Sequence, residues 1–115
     1  MTFDAFDVVA VPFPFVDRKA QKRRPALVLS GRGSLEKVEH SVLAMITSRK
    51  NPPWPLDVPV SDGAAAGLTA PSVVRMKLFT LDNRLVVRKI GRLSTPDRIA
   101  VQSALGRLLV LEATG

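Results

Sequence analysis

The run Lys22-Arg23-Arg24-Pro25-Ala26-Leu27-Val28-Leu29-Ser30 brings three cations to the mouth of a short apolar segment, with a proline at the joint. Proline disfavours the α region for the residue before it, so Arg24 is expected to be extended, its side chain leaving where a strand begins. Pro25 itself is expected at a strand's first residue or on an edge, where its missing N–H breaks no ladder. A guanidinium presented rigidly at the rim of a sheet suits paired phosphate oxygens, because its donors form a planar fork. Arg24 is therefore the expected centre of a site for an RNA phosphate.

Other chemistries are removed by composition. The chain has no cysteine and one histidine, His40, which excludes the usual zinc ligand sets and a two-histidine acid–base pair. A serine triad would have to rely on His40, which follows Glu39 in a turn-like segment and reads as an exposed bystander. Gly31-Arg32-Gly33 is too short for a phosphate-binding loop and precedes no helix. The acidic residues do not gather at metal-ligand spacing. Any enzyme here is expected to work without metal or cofactor, using Arg, Thr, Ser, Lys or Asp. Seventeen Lys and Arg against ten Asp and Glu give a net charge of +7, which favours a polyanion or an acidic protein partner.

The elements that must position these residues are short. The length of 115 residues suits one domain spanning 1–115. The acidic start, Met1 to Asp7, is unlike a signal peptide, and no apolar run approaches the ~20 residues of a membrane helix. A cytoplasmic protein with no membrane contact is expected. Asp7 to Phe15 reads as a strand ended by Pro12 and Pro14, and Val16 to Gln21 as a loop. Ala26 to Ser30 is a second strand. Val42-Leu43-Ala44-Met45-Ile46 is apolar on both parities, so His40 or Ser41 to Thr47 should be a central strand covered on both faces. Ser48 to Pro55 holds three prolines in four positions and must be a loop. Leu56 to Val60 is an expected edge strand. Ser72 to Phe79 alternates Val74, Met76 and Leu78 with Arg75 and Lys77, a half-buried strand with a wet cationic face. Leu81-Asp82-Asn83-Arg84 reads as a hairpin turn into a partner strand, Leu85 to Ile90, carrying Arg88 and Lys89. A closing helix is capped by Ser94 or Thr95, with Pro96 and Asp97 in its first turn and an apolar stripe at Val101, Ala104, Leu105 and Leu108. This is a mainly β chain with a C-terminal helix, a strongly bent antiparallel sheet or small barrel.

Five segments in order resemble the MazF/PemK toxins of bacterial toxin–antitoxin pairs: Asp7 to Phe13, Lys22 to Ser30, Ala44 to Ser48, Gly67-Leu68 with Ser72 to Arg75, and Lys89 to Ser94. The resemblance implies an SH3-like barrel, a homodimer, and a metal-independent endoribonuclease that cuts single-stranded messenger RNA. It further implies an acidic antitoxin whose tail occupies the basic groove, and operator DNA bound through the toxin–antitoxin complex. In that family the arginine before the proline and the threonine ending the central strand carry catalysis, which maps the roles onto Arg24 and Thr47. The implied reaction is attack of a ribose 2′-OH on the adjacent phosphorus, leaving a 2′,3′-cyclic phosphate and a 5′-OH. Two departures stand out: Phe6 replaces a usual glycine, so the approach to the first strand is expected to turn differently, and the loop 16–22 lacks the family's Gly-Ser-Glu type sequence.

Around that pair, Lys22, Arg23, Ser48, Arg49 and Lys50 lie at neighbouring strand ends and are candidates to follow RNA phosphates. Trp54 is placed either to stack on an unpaired base or to anchor its proline-rich loop. The alternative function is a barrel of the same fold that binds nucleic acid or a partner without cutting.

Overall fold

The computed structural model describes residues 2–12 and 22–111. Six strands form one antiparallel sheet: β1 (Asp7–Pro12), β2 (Arg23–Val28), β3 (His40–Ser48), β4 (Val58–Pro59), β5 (Ser72–Asp82) and β6 (Arg88–Arg92). Their spatial order is β4-β5-β3-β2-β1-β6, and one helix, α1 (Thr95–Leu109), follows the last strand. The sheet is curled, with register shifts between Val8 and Val9 and between Ala44 and Met45 that bend it.

Both faces of the central strands are buried, as their continuous apolar runs require. On one face Val8, Leu27, Ala44, Ile46 and Val74 pack with Val101 and Ala104 of α1. On the other, Val9, Val11, Ala26, Val28 and Leu43 pack with Phe3, Leu81 and Val86. Alternation along β1 and β2 assigns neighbouring valines to opposite cores.

Ser94 caps α1, its hydroxyl accepting from the Asp97 N–H, and Pro96 sits in the first turn. Asp97 does more than complement the helix dipole. Its buried carboxylate accepts the Ser61 N–H and hydroxyl and the Asp62 N–H, at 2.7 to 3.2 Å, and so straps the loop after β4 to the helix. Of the expected stripe, Val101 and Ala104 are buried and Leu105 half-buried, while Leu108 is exposed.

Three local expectations are corrected. Residues 81–84 form no hairpin. β5 continues to Asp82, a 3-10 turn follows at Asn83–Leu85, and β6 crosses to pair with β1. Asn83 is buried there, accepting from the Ser41 hydroxyl at 2.7 Å and donating its N–H to the Glu39 carbonyl at 2.7 Å, which commits it to the core side. Phe6 does not turn away from a glycine-like conformation: its φ is 73°, the left-handed region that glycine enters freely. It is held there by its N–H to the Val28 carbonyl and its carbonyl to the Leu93 N–H. Pro25 is neither first in its strand nor on an edge, but third in β2, between β1 and β3. The tolerance has a local cause. Phe6 donates to the Val28 carbonyl and Leu29 donates to the Val42 carbonyl, so main-chain groups along β2 alternate between β1 and β3. That alternation aims the Pro25 nitrogen at β3, and the β2–β3 ladder ends one residue earlier, at the Ala26–Met45 pair. The segment 13–15 and the loop from 16 to 21 lie outside the described residues.

The loop that leads into β5 meets β6 backbone to backbone. A Cβ at Gly67, whose φ is +73°, would lie 1.9 Å from the Ile90 carbonyl oxygen, and one at Gly91 would lie 2.3 Å from the Ala66 carbonyl carbon. Gly67→Ala is expected to cost about 3 kcal/mol from overlap and backbone strain together, read as a lowered midpoint in denaturant unfolding. Gly31→Ala, where a Cβ meets nothing within 4 Å, serves as the neutral control.

The strap at Asp97 makes a second prediction. Burial alone would raise this carboxyl, but the Ser61 and Asp62 donors and the Ser94 hydroxyl hold it below the ordinary carboxylate range. A carboxyl that titrates lower when folded contributes fully above its unfolded value of about 4 and loses that contribution as pH falls through the folded value. Asp97→Ala is therefore expected to lower stability by about 2 kcal/mol at pH 7. The deficit should shrink in unfolding curves recorded at increasingly acid pH.

Candidate functional site

Pro25 shapes the opening in the sheet. Two residues beyond the last pair, Ala26–Met45, lie Arg24 on β2 and Thr47 on β3, outside the ladder. Each of the two has a firm neighbour on its outer side, Arg24 opposite Val11 of β1 and Thr47 opposite Val73 of β5. The strands thus remain anchored outward while losing their inner ladder, with Arg24 and Thr47 both beyond its end.

Thr47 is half-buried at the end of β3, and its hydroxyl accepts a 2.6 Å hydrogen bond from the Asn51 side-chain amide. A turn produces that contact: the Asn51 N–H donates to the Ser48 carbonyl and the Lys50 N–H to the Ser48 hydroxyl. Sequence reading missed Asn51; the turn-forming Ser48-Arg49-Lys50-Asn51 run was its available signal.

Arg24 lines a surface cavity of about 340 Å³ with Arg23, Arg88, Gly67, Leu68 and Thr69. Arg88 is the second omission. It reaches this cavity because Ala10 pairs with both Arg88 and Pro25, which sets β6 and β2 on either side of β1. Arg49 lines a neighbouring cavity of about 320 Å³ with Ser61 and Ser72, and the two share Leu68 and Thr69. Thr47 lines neither cavity; it follows Ile46 near the end of β3, one residue before Ser48 and two before Arg49.

Several carboxylates are matched to cations. Asp4 pairs with Arg32, Asp57 with Arg75, Asp82 with Arg84, and Asp7 with both Lys89 and Arg92. Among the described residues, Lys22, Arg23, Arg49, Lys50 and Arg88 have no carboxylate partner, and all five are exposed. Elsewhere among the described residues Lys37, Lys77 and Arg107 are likewise exposed and without a carboxylate partner, so the cations at the opening are a local group within a generally basic surface.

Arg75 is corrected as part of a wet cationic face. It makes a two-point contact with Asp57 at 3.0 and 3.2 Å, donates to the Pro52 carbonyl, and lies 5.5 Å from the centre of the Trp54 ring. Trp54 is thus anchored by Arg75 rather than by prolines alone, with its N–H bonded to Asp57, and remains 45% exposed. Arg88 and Lys89 also leave the supposed stripe, since β6 does not adjoin β5. His40 is half-buried rather than exposed, and its Nδ1 meets the Val38 carbonyl. It opens β3 whereas Thr47 nearly closes it, a separation of about 23 Å along a strand, so it belongs to no common site. Among the described residues no three His, Asp or Glu side chains gather as metal ligands, and no helix is long and apolar enough to cross a membrane.

Comparison with known proteins accords with this arrangement. The profile of the PemK-like, MazF-like toxins of type II toxin–antitoxin systems matches residues 4–109. No curated protein matches the chain significantly in sequence. Among solved structures, it is similar to the Mycobacterium tuberculosis toxin MazF-mt6, at 26% identity over 93% of this chain and 99% of that one, with a TM-score of 0.71. A MazE–MazF structure from Deinococcus radiodurans superposes with a TM-score of 0.75 at 23% identity, over 97% and 99% of the two chains. An endoribonuclease in complex with its cognate antitoxin, from a mycobacterial species, gives 0.74 at 14% identity over 96% of each chain. The last two likenesses concern the fold alone. Six antiparallel strands curled around one terminal helix, matched along nearly the whole length, settle the family: the chain belongs to the PemK-like, MazF-like toxins of type II toxin–antitoxin systems.

Proposed function

We propose that this toxin is a metal-independent endoribonuclease acting on single-stranded RNA, with Arg24 and Thr47 as its catalytic residues. The observation that supports the proposal is the end of the β2–β3 ladder at Ala26–Met45, two residues short of Arg24 on one strand and of Thr47 on the other. In the reaction the ribose 2′-oxygen attacks the adjacent phosphorus as its proton is lost. The bond to the 5′-oxygen then breaks, and that oxygen takes up a proton, leaving a 2′,3′-cyclic phosphate and a 5′-OH. Negative charge grows on the phosphoryl oxygens during attack, and fixed donors aimed there stabilise the transition state more than the ground state. Arg24 supplies the guanidinium fork for that charge and shares a proton with the leaving oxygen. Its very high affinity for its own proton makes the electrostatic part dominant. Thr47 donates its hydroxyl hydrogen to a non-bridging oxygen.

The exposed cations continue the site on both sides. Lys22 and Arg23 flank Arg24, and Ser48, Arg49 and Lys50 follow Thr47, so an RNA backbone laid across the strand ends meets positive charge throughout. The part of Trp54 left open beside its Arg75 anchor is suited to an unpaired base. In this reading an acidic antitoxin silences the toxin by covering the same cations, the active species is a homodimer, and operator DNA is met through the toxin–antitoxin complex.

Purified protein incubated with single-stranded RNA in EDTA should leave cyclic phosphate ends. Arg24→Ala should abolish cutting, and Thr47→Ala should slow it by about 10²- to 10³-fold, the loss of roughly 3 kcal/mol of transition-state stabilisation. Both variants should unfold at the midpoint of the parent chain. Binding of several RNA sequences without cuts would overturn the catalytic reading in favour of a nucleic-acid-binding barrel. Raising salt should weaken RNA binding steeply, and Arg49→Ala should flatten that dependence by about one counterion.

A further inference from the structure

We infer that Asn51 is a positioning residue for the Thr47 hydroxyl, an assignment that rests on the ribonuclease reading above. A threonine hydroxyl has one hydrogen to give and two lone pairs to receive. The Asn51 amide, 2.6 Å away, occupies one lone pair by donating to the oxygen, so the hydroxyl hydrogen has no use in that direction. It is left for the side from which Asn51 is absent, where a phosphoryl oxygen would receive it. Donation from the amide also polarises the O–H bond, strengthening the hydrogen bond that the hydroxyl gives.

The holder is itself held. Asn51 is fixed by the Ser48 turn, through its own N–H to the Ser48 carbonyl and the Lys50 N–H to the Ser48 hydroxyl. The same loop is pinned further on, where Arg75 donates to the Pro52 carbonyl while gripping Asp57. The Arg49 N–H donates to the Pro71 carbonyl, fastening the start of the turn to the approach of β5. Four contacts thus fix a side chain that stands in an exposed loop. No core packing requires Asn51, which is exposed itself.

A double-mutant cycle read by single-turnover cleavage of a labelled single-stranded RNA tests the assignment. Asn51→Ala should slow cleavage by about tenfold to a hundredfold, the range for a reacting group displaced by a fraction of an ångström to one ångström. Its apparent RNA affinity and unfolding midpoint should stay within about twofold and a degree or two of the parent. In a Thr47→Val background, Asn51→Ala should cost nothing more, because the hydroxyl it directs is gone. The side-chain amide signals of Asn51 in a nitrogen–proton spectrum should move on Thr47→Val without any RNA present. An unchanged rate for Asn51→Ala, a full additional loss in the double variant, or weakened RNA binding with intact cleavage would each overturn the assignment. RNA left uncut by the parent chain would overturn the ribonuclease reading and the catalytic consequence with it, while the amide signals would still decide whether the contact exists.

Discussion

A missing hydrogen-bond donor governs this fold. Every residue of a central strand is expected to supply an N–H to one neighbour or the other, and Pro25 supplies none toward β3. The ladder between β2 and β3 ends beside it, although both strands continue and stay paired on their outer sides. An opening made in this way is stiff, because its walls are strands of a buried sheet and not loops. It also leaves no apolar side chain stranded. Ala26, Leu27 and Val28 fill the two cores just before the strands part, and the exposed Arg23 and Arg24 begin just beyond.

The charge distribution follows the same boundary. Away from the opening some carboxylates hold cations: Asp7 is buried and answers both Lys89 and Arg92, and Asp57 ties Arg75 to the loop that follows β3. At the opening, arginines from β2 and β6 and from the loop after β3 gather without such partners among Arg23, Arg49 and Arg88. A net charge of +7 thus keeps a cluster of unpaired cations at the opening within a basic surface that attracts polyanions.

Much of this was legible in the sequence where the cause was local. The Pro25 joint located Arg24, the unbroken apolar run located the central strand that ends near Thr47, and Ser94, Pro96 and Asp97 marked the start of the helix. What could not be read depended on pairings between distant segments. Leu81 to Arg84 has turn-forming residues, yet Asn83 is claimed by Ser41 and Glu39, so the chain leaves β5 for the far side of the sheet. Arg88 joins Arg24 only because β1 stands between β6 and β2. Strand alternation placed Arg75 correctly on the face opposite Val74, but Asp57 and Trp54 arrive from a loop whose path no periodicity describes. Phe6 shows the converse: the residue type argued against a left-handed turn, and two main-chain hydrogen bonds with packing on the core imposed it.

The chemical make-up of the opening has a consequence for control. Arg24, Thr47 and Asn51 contribute a guanidinium, a hydroxyl and a carboxamide, groups that meet oxygen-rich partners through hydrogen bonds and charge, and His40 stands at the far end of β3 from Thr47. If these groups act as proposed, a chain lying across them is enough to withhold them, a mode of restraint suited to one half of a two-protein pair.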